Sequence, residues 1–165
     1  MPKSEHMPRR YWGALAGAGS GALLAGAFAF EYIGGLLPCT LCIWQRWPHA
    51  AAVFITVLAV FAYNRMATVA YRLLALLGAF AVLISAGIAL FHVGVEQSWW
   101  QGLASCTINS LAGVSASDLL SLDTDVGAPA SCDAVAWQML GISMAGWNGL
   151  ASLGLCAVWL RAARG

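Results

Sequence analysis

The stretch VAYRLLALLGAFAVLISAGIALF, residues 69–91, carries one charged side chain, Arg72, near its start and is otherwise almost wholly apolar. A helix of about 20 such residues crosses a hydrocarbon core of ~30 Å. Three further runs of similar length surround it, at 12–33, 43–63 and 140–160. Each is too long and too uniformly apolar to be an alternating barrel strand. Over all 165 residues, 61% are hydrophobic and 9% charged, with mean hydropathy +0.76. A soluble domain carries about 25% charged residues. The expectation is an all-α membrane protein: one domain, residues 1–165, built as a four-transmembrane-helix bundle.

The first run has Arg9 and Arg10 ahead of it and Ala25-Gly26-Ala27 within it, which imitates a secretory signal. Its apolar length exceeds the roughly 7–15 residues of a signal core, so it reads as a span. Gly13, Gly17 and Gly21 at four-residue spacing form a small face suited to close helix packing. Charge then orients the bundle. Lys3, Arg9, Arg10, Arg65, Arg72, Arg161 and Arg164 fall on one side of four alternating spans, and they are seven of the eight basic residues. The positive-inside rule makes that side, with both termini, cytoplasmic. Glu31, Glu96, Asp118, Asp123, Asp125 and Asp133 fall on the other, where Arg46 is the one basic residue.

Two loops face that outer side. The first, residues 34–42, is a Gly-Pro turn carrying Cys39 and Cys42; the second, residues 96–139, holds Cys106 and Cys132. The long loop is too short to bury a core of its own and is expected to lie against the membrane, with a brief interfacial helix at 117–120. Trp44, Trp47, Trp99, Trp100 and Trp137 flank the two loops, as an aromatic belt would.

Topology sorts the five cysteines. Four project outward, and Cys156 lies within the last span, where a small buried apolar residue is the simplest reading. Four cysteines in an oxidising compartment suggest two disulfides. These could merely staple the loops; a zinc site lacks its second C-x-x-C, and no metal is expected. Stapling explains the short pair poorly, because a C-x-x-C bridge closes a minimal loop and removes little chain entropy. Redox cycling suits it better, since either thiolate can attack a mixed disulfide of the other. A thiol near a helix N-terminus, close to a cation, is also more easily ionised. Arg46 follows Cys42 by four residues, on the same face if helix runs through both. Pro48 would weaken that geometry by starting the helix later. Arg46 could snorkel to lipid phosphates. Alone at a membrane rim beside a dithiol, it is the better candidate for stabilising a thiolate or binding the oxygen of an electron-accepting carbonyl compound.

Four segments in this order, CTLCIWQR (39–46), the Cys106/Cys132 pair, HVGVEQSWW (92–100) and LGISMAGWN (140–148), resemble the disulfide bond formation protein B family of bacterial inner-membrane quinone reductases. The resemblance covers almost the whole chain. It implies that a reduced, thioredoxin-like (DsbA-like) periplasmic oxidant attacks a Cys106–Cys132 disulfide at Cys106. Cys132 then exchanges with Cys39. Cys42, freed as a thiolate, passes electrons to ubiquinone or menaquinone through a charge-transfer or transient covalent complex, with Arg46 holding the quinone. It implies further a monomer of the inner membrane with its site facing the periplasm, working with the lipid and quinone pool and with no nucleic acid. In some members a histidine follows the glutamate that closes the third span; here Gln97 stands there, and His92, a turn earlier, reads as a packing residue. Glu96 is a further candidate at the quinone site, or else a solvated rim carboxylate. Glu31 reads as a snorkelling side chain. Two alternatives stand beside it: a close runner-up, a paralogue serving one dedicated periplasmic partner, and a small transporter or assembly subunit whose loops are held by disulfides, against which the few ionisable groups in the spans argue weakly.

Overall fold

The structure, a computed structural model, describes residues 8–104, 106 and 131–164. Four long helices occupy the four apolar runs: α1 (Arg9–Tyr32), α2 (Thr40–Phe61), α3 (Thr68–Glu96) and α4 (Met144–Arg164). A 3-10 turn, Tyr63–Arg65, joins α2 to α3. Each helix packs on its two neighbours in the order α1, α2, α3, α4 and back to α1. Lys3, the acidic residues at 118, 123 and 125, and the expected interfacial helix at 117–120 lie outside the described residues.

The bundle is built inside out relative to a water-soluble one. On α3, Val69, Leu73, Leu77, Phe80, Leu83 and Leu90 point outward and are exposed, while Ala75, Gly78, Ala79, Val82, Ser85 and Ala89 point inward. Large apolar groups outside and small groups between helices is the pattern expected where lipid tails are the solvent. The small residues are needed for close approach. A Cβ at Gly17 would lie 2.2 Å from the Thr56 hydroxyl oxygen, and one at Gly78 would lie 2.6 Å from the Trp159 indole. Gly21 meets nothing nearer than 3.9 Å, so only part of the glycine ladder carries packing. By length and composition, α1 and α3 each qualify as membrane spans. The other two helices carry polar side chains in their facing halves: Gln45, Arg46 and His49 on α2, Asn148 and Ser152 on α4.

One end of the bundle gathers the basic residues. The Tyr71 hydroxyl donates to the Arg9 carbonyl at 2.8 Å, Arg10 lies 6.0 Å from the Tyr63 ring, and Arg161 lies 5.6 Å from the Trp12 ring. The cysteine loops are at the other end.

Two boundaries differ from the sequence reading, both beside the site. Helix α2 begins at Thr40, so Cys42 lies in its first turn rather than in the loop, and Pro48 is accommodated inside the helix. Cys39 starts the helix: its backbone is extended, and its sulfur accepts the Cys42 N–H at 3.3 Å, the cap normally supplied by a serine or aspartate oxygen. The fourth run does not begin as helix at residue 140. Strands β1 (Gln138–Met139) and β2 (Ile142–Ser143) form a hairpin first. Leu140 and Gly141 both take positive φ, 54° and 76°, the conformation a two-residue hairpin turn demands. The Ser143 hydroxyl then accepts the Gly146 N–H at 3.2 Å and caps α4.

Candidate active site

The turn between α1 and α2, with Gly35 at φ +67°, delivers Cys39 to the end of the bundle. The helical turn from Cys39 to Cys42 brings the two sulfurs to 3.1 Å, in a thiol–thiol hydrogen bond. Cys106 and Cys132 are joined as a disulfide with Cα atoms 5.5 Å apart. Cys39, Leu41, Val95, Cys106 and Cys132 form one buried cluster, in which Cys132 is fully enclosed. All four outward cysteines therefore meet at one place, although 90 residues separate Cys42 from Cys132 in sequence.

The two sulfurs of the short pair are not equivalent. Cys39 is 5% exposed and receives the Cys42 N–H; His92 Nε2 lies 3.6 Å from its sulfur. The hydrogen bond from the Cys42 side chain, opposed by burial and reinforced by His92, lowers the Cys39 thiol from 9.0 to about 4. In the dithiol the negative charge thus belongs on Cys39, with the remaining proton on Cys42.

His92 is no mere packing residue. Its Nδ1 lies 3.0 Å from Gln45 Nε2. Glu96, one turn on, brings a carboxylate oxygen to 3.8 Å from Nε2 and accepts a hydrogen bond from Ser143 through the other oxygen. Glu96 therefore braces His92 against the α4 hairpin. Cys39, Cys42 and His92 offer three donor atoms within 4.8 Å; among the described residues no fourth joins them, which leaves a closed tetrahedral zinc set incomplete.

Cys42 also lines a cavity of about 360 Å³ between α1, α2 and α4. Its walls are mainly apolar, from Ala22 and Phe30 to Trp137, Met144 and Trp147, with Cys42, Arg46, His49 and Asn148 among the lining. Arg46 is not a stray cation. Its guanidinium pairs with Glu31 and lies 5.0 Å from the Phe28 ring. The pair anchors one edge of the guanidinium and leaves Nε buried without a partner. Glu96 is not among the residues that line this cavity.

Deeper in the bundle, polar side chains form a continuous network. Asn148 Nδ2 donates to Gln45 Oε1 at 2.6 Å, and His49 Nε2 lies 3.0 Å from Asn148 Oδ1. Ser85 and Ser152 place hydroxyls 3.1 and 3.3 Å from the same nitrogen. Cys39, His92, Gln45, Asn148 and His49 are thereby linked in series. The spacing of Cys42, Gln45 and His49 on α2, and of Asn148 and Ser152 on α4, was the signal in the sequence: polar residues at helical period inside apolar runs.

The sequence profile described as Disulfide bond formation protein DsbB matches residues 8–162. Among curated relatives, Disulfide bond formation protein B of Methylococcus capsulatus is 35% identical over 143 residues, 82% of each chain. That of Stutzerimonas stutzeri is 31% identical over 147 residues, covering 88% of this chain and 89% of the relative. No solved structure gives a significant match. By profile and relatives alike, this chain belongs to the disulfide bond formation protein B family of membrane proteins.

Proposed function

We propose that the protein is a membrane thiol:quinone oxidoreductase, which reoxidises a thioredoxin-like periplasmic disulfide donor and passes the electrons to ubiquinone or menaquinone. All four helices span the inner membrane. The end rich in arginine, with both termini, faces the cytoplasm, and the cysteine end faces the periplasm. One observation carries the reading: the Cys39/Cys42 dithiol lies between the Cys106–Cys132 disulfide on one side and an apolar cavity lined by Cys42 and Arg46 on the other.

The chemistry follows from that order. A thiolate of the partner bonds to Cys106, and the electron pair of the broken S–S bond leaves on Cys132. Cys132, packed in the same cluster as Cys39, bonds to Cys39 of the oxidised short pair and releases Cys42 toward the cavity. The partner's second thiolate displaces Cys106, which bonds back to Cys132 and frees Cys39. The Cys39/Cys42 dithiol then closes to a disulfide as two electrons and two protons pass to quinone, a closure that needs little movement because the sulfurs are already 3.1 Å apart. A quinone supplies an acceptor for two electrons and two protons. The cavity suits a flat apolar ring with polar oxygens: its walls are apolar, and the buried Nε of Arg46 is a donor without a partner. Arg46, held by Glu31 and Phe28, binds an oxygen of the head group. Glu96 serves instead to brace His92.

The test is quinone reduction by purified protein supplied with a reduced thioredoxin-like donor. Cys42→Ser and Cys106→Ser should each abolish turnover, and Arg46→Ala should raise the apparent KM for quinone. Full quinone reduction by both cysteine variants would overturn the mechanism; an unchanged KM would remove Arg46 from the quinone site.

A further inference from the structure

A residue of the cavity lining carries a second buried polar atom without a partner. His49 is 2% exposed and lines the cavity one turn beyond Arg46, and its Nδ1 makes no hydrogen bond. A neutral imidazole has one N–H and one bare nitrogen, and the surroundings decide which is which. The starting point is the backbone carbonyl of Leu41, which can only accept. Gln45 Nε2 lies 3.3 Å from it, so the amide nitrogen of Gln45 faces that way and Oε1 faces Asn148. Asn148 therefore turns its NH2 to Gln45 and its carbonyl oxygen to His49 Nε2. The Ser85 hydroxyl donates to the Gln45 backbone carbonyl at 3.2 Å, so toward His49 it too acts as an acceptor. Nε2 faces two acceptors and must carry the hydrogen. Nδ1 is then a bare acceptor, buried and unpartnered, on a residue that lines the cavity.

We propose that His49 Nδ1 is a selectivity element of the quinone site, accepting a hydrogen bond from the hydroxyl of the reduced head group. This rests on the quinone reading above and extends it. The two oxidation states present opposite hydrogen-bonding faces. A quinone carbonyl only accepts and gains nothing from a bare nitrogen, whereas a quinol hydroxyl donates to it. The Arg46 Nε–H, by contrast, can serve an oxygen of either form. The cavity thus pairs one donor that ignores the oxidation state with one acceptor that reads it, three residues apart on one helix. Binding the reduced form more tightly makes a bound quinone a stronger electron acceptor for the Cys39/Cys42 dithiol.

The prediction is a ratio of affinities, read without turnover. Trp137 and Trp147 line the cavity, so quenching of tryptophan emission reports occupancy. Binding of short-tailed ubiquinone and of its quinol is compared anaerobically in the purified full chain, with both disulfides closed so that neither ligand is consumed. The wild type should favour quinol by roughly three- to tenfold, the worth of one neutral hydrogen bond; tenfold corresponds to about 30 mV for a two-electron couple. His49→Phe keeps a flat ring at this position and removes the nitrogen acceptor without supplying another. It should bring the ratio close to one while leaving quinone affinity nearly unchanged. A second readout needs no variant: in protein 15N-labelled at histidine, the resonance of the acceptor nitrogen that lacks a donor should shift on addition of quinol and stay in place with quinone. A ratio unchanged in His49→Phe, or a resonance indifferent to quinol, would overturn the role of His49 while leaving the quinone site standing. Failure of the wild type to bind either form would overturn the quinone reading itself.

Discussion

The half of the bundle near the arginine end and the half near the cysteines are held together by different means. Near the arginines, Ala16, Ala59, Ala75, Ala79 and Ala162 surround Trp159, and Gly17 and Gly78 let neighbouring helices approach to contact. Near the cysteines the interior holds Gln45, His49, Ser85, His92, Asn148 and Ser152, joined by hydrogen bonds from helix to helix. Polar groups are costly to bury unless paired, and within a membrane they ordinarily mark function. Stability alone would be served as well by the alanine-and-glycine solution throughout. Under the proposed redox cycle the cysteine half departs from it because charge appears and disappears there: Cys39 holds a thiolate in the dithiol state and none in the disulfide, and the hydrogen-bonded series ends on that sulfur.

The largest contrast should come from comparing cysteines across the two halves. Cys156 belongs to the apolar half, packed against the Trp159 cluster, while Cys39 ends the polar series. Cys39→Ser should reduce donor-to-quinone turnover to background, and Cys156→Ala should leave it within about twofold, since small surface or partly buried swaps cost little. Comparable losses in both would dissolve the distinction between the halves. The next effect is one of stability. Trp159→Ala should cost about 3–5 kcal/mol in thermal unfolding in detergent, through lost contact and a cavity, with quinone affinity unchanged. Asn148→Leu should cost about 1–3 kcal/mol by stranding Gln45 and His49 and should also weaken quinol binding. The sites are far enough apart that the two costs should add to within about 0.5 kcal/mol. A large coupling between them would mean that the halves are one cooperative unit.

What the sequence made legible follows the same division. The four helices, the dithiol between two spans and Arg46 beside it are all local patterns, set by runs and spacings along one chain segment. The partners across helices are not local. Glu31 reaches Arg46 only because α1 and α2 lie antiparallel with those two faces turned inward. His92 meets Cys39, 53 residues away, because of the rotation of α3 about its own axis. An isolated charge and an isolated histidine in a span therefore read as snorkelling and packing, although each is half of a pair. A stricter reading of period would have recovered part of this: His92 and Glu96 are one turn apart, as are Asn148 and Ser152, so each helix displayed a polar stripe needing a facing one. The hairpin before α4 was hidden by an apolar run whose turn rests on Leu140 at positive φ, a conformation a branched apolar side chain seldom signals.

The finest test of the contrast is the pH dependence of the Cys39/Cys42 couple, because it counts protons in the state the polar half is built to hold. Reducing a disulfide to two neutral thiols takes up two electrons and two protons, and the midpoint potential then falls by about 59 mV per pH unit. With Cys39 held at about 4, well below its ordinary 9.0, the reduced pair above pH 4 binds one proton rather than two. One proton for two electrons gives about 30 mV per unit. The sign is fixed by the direction of the shift: a lowered thiol favours the reduced state increasingly as pH rises from about 4 toward 9, which offsets half of the usual fall. Redox titration of the short pair between pH 5 and 8 should therefore show the shallower slope. His92→Phe removes one of the contacts that lower Cys39. It should move the break between the two slopes upward, while Trp159→Ala leaves it in place. A slope near 59 mV in the wild type would mean that Cys39 keeps its proton. The polar half would then stabilise no charge, and its difference in purpose from the alanine half would have to be reconsidered.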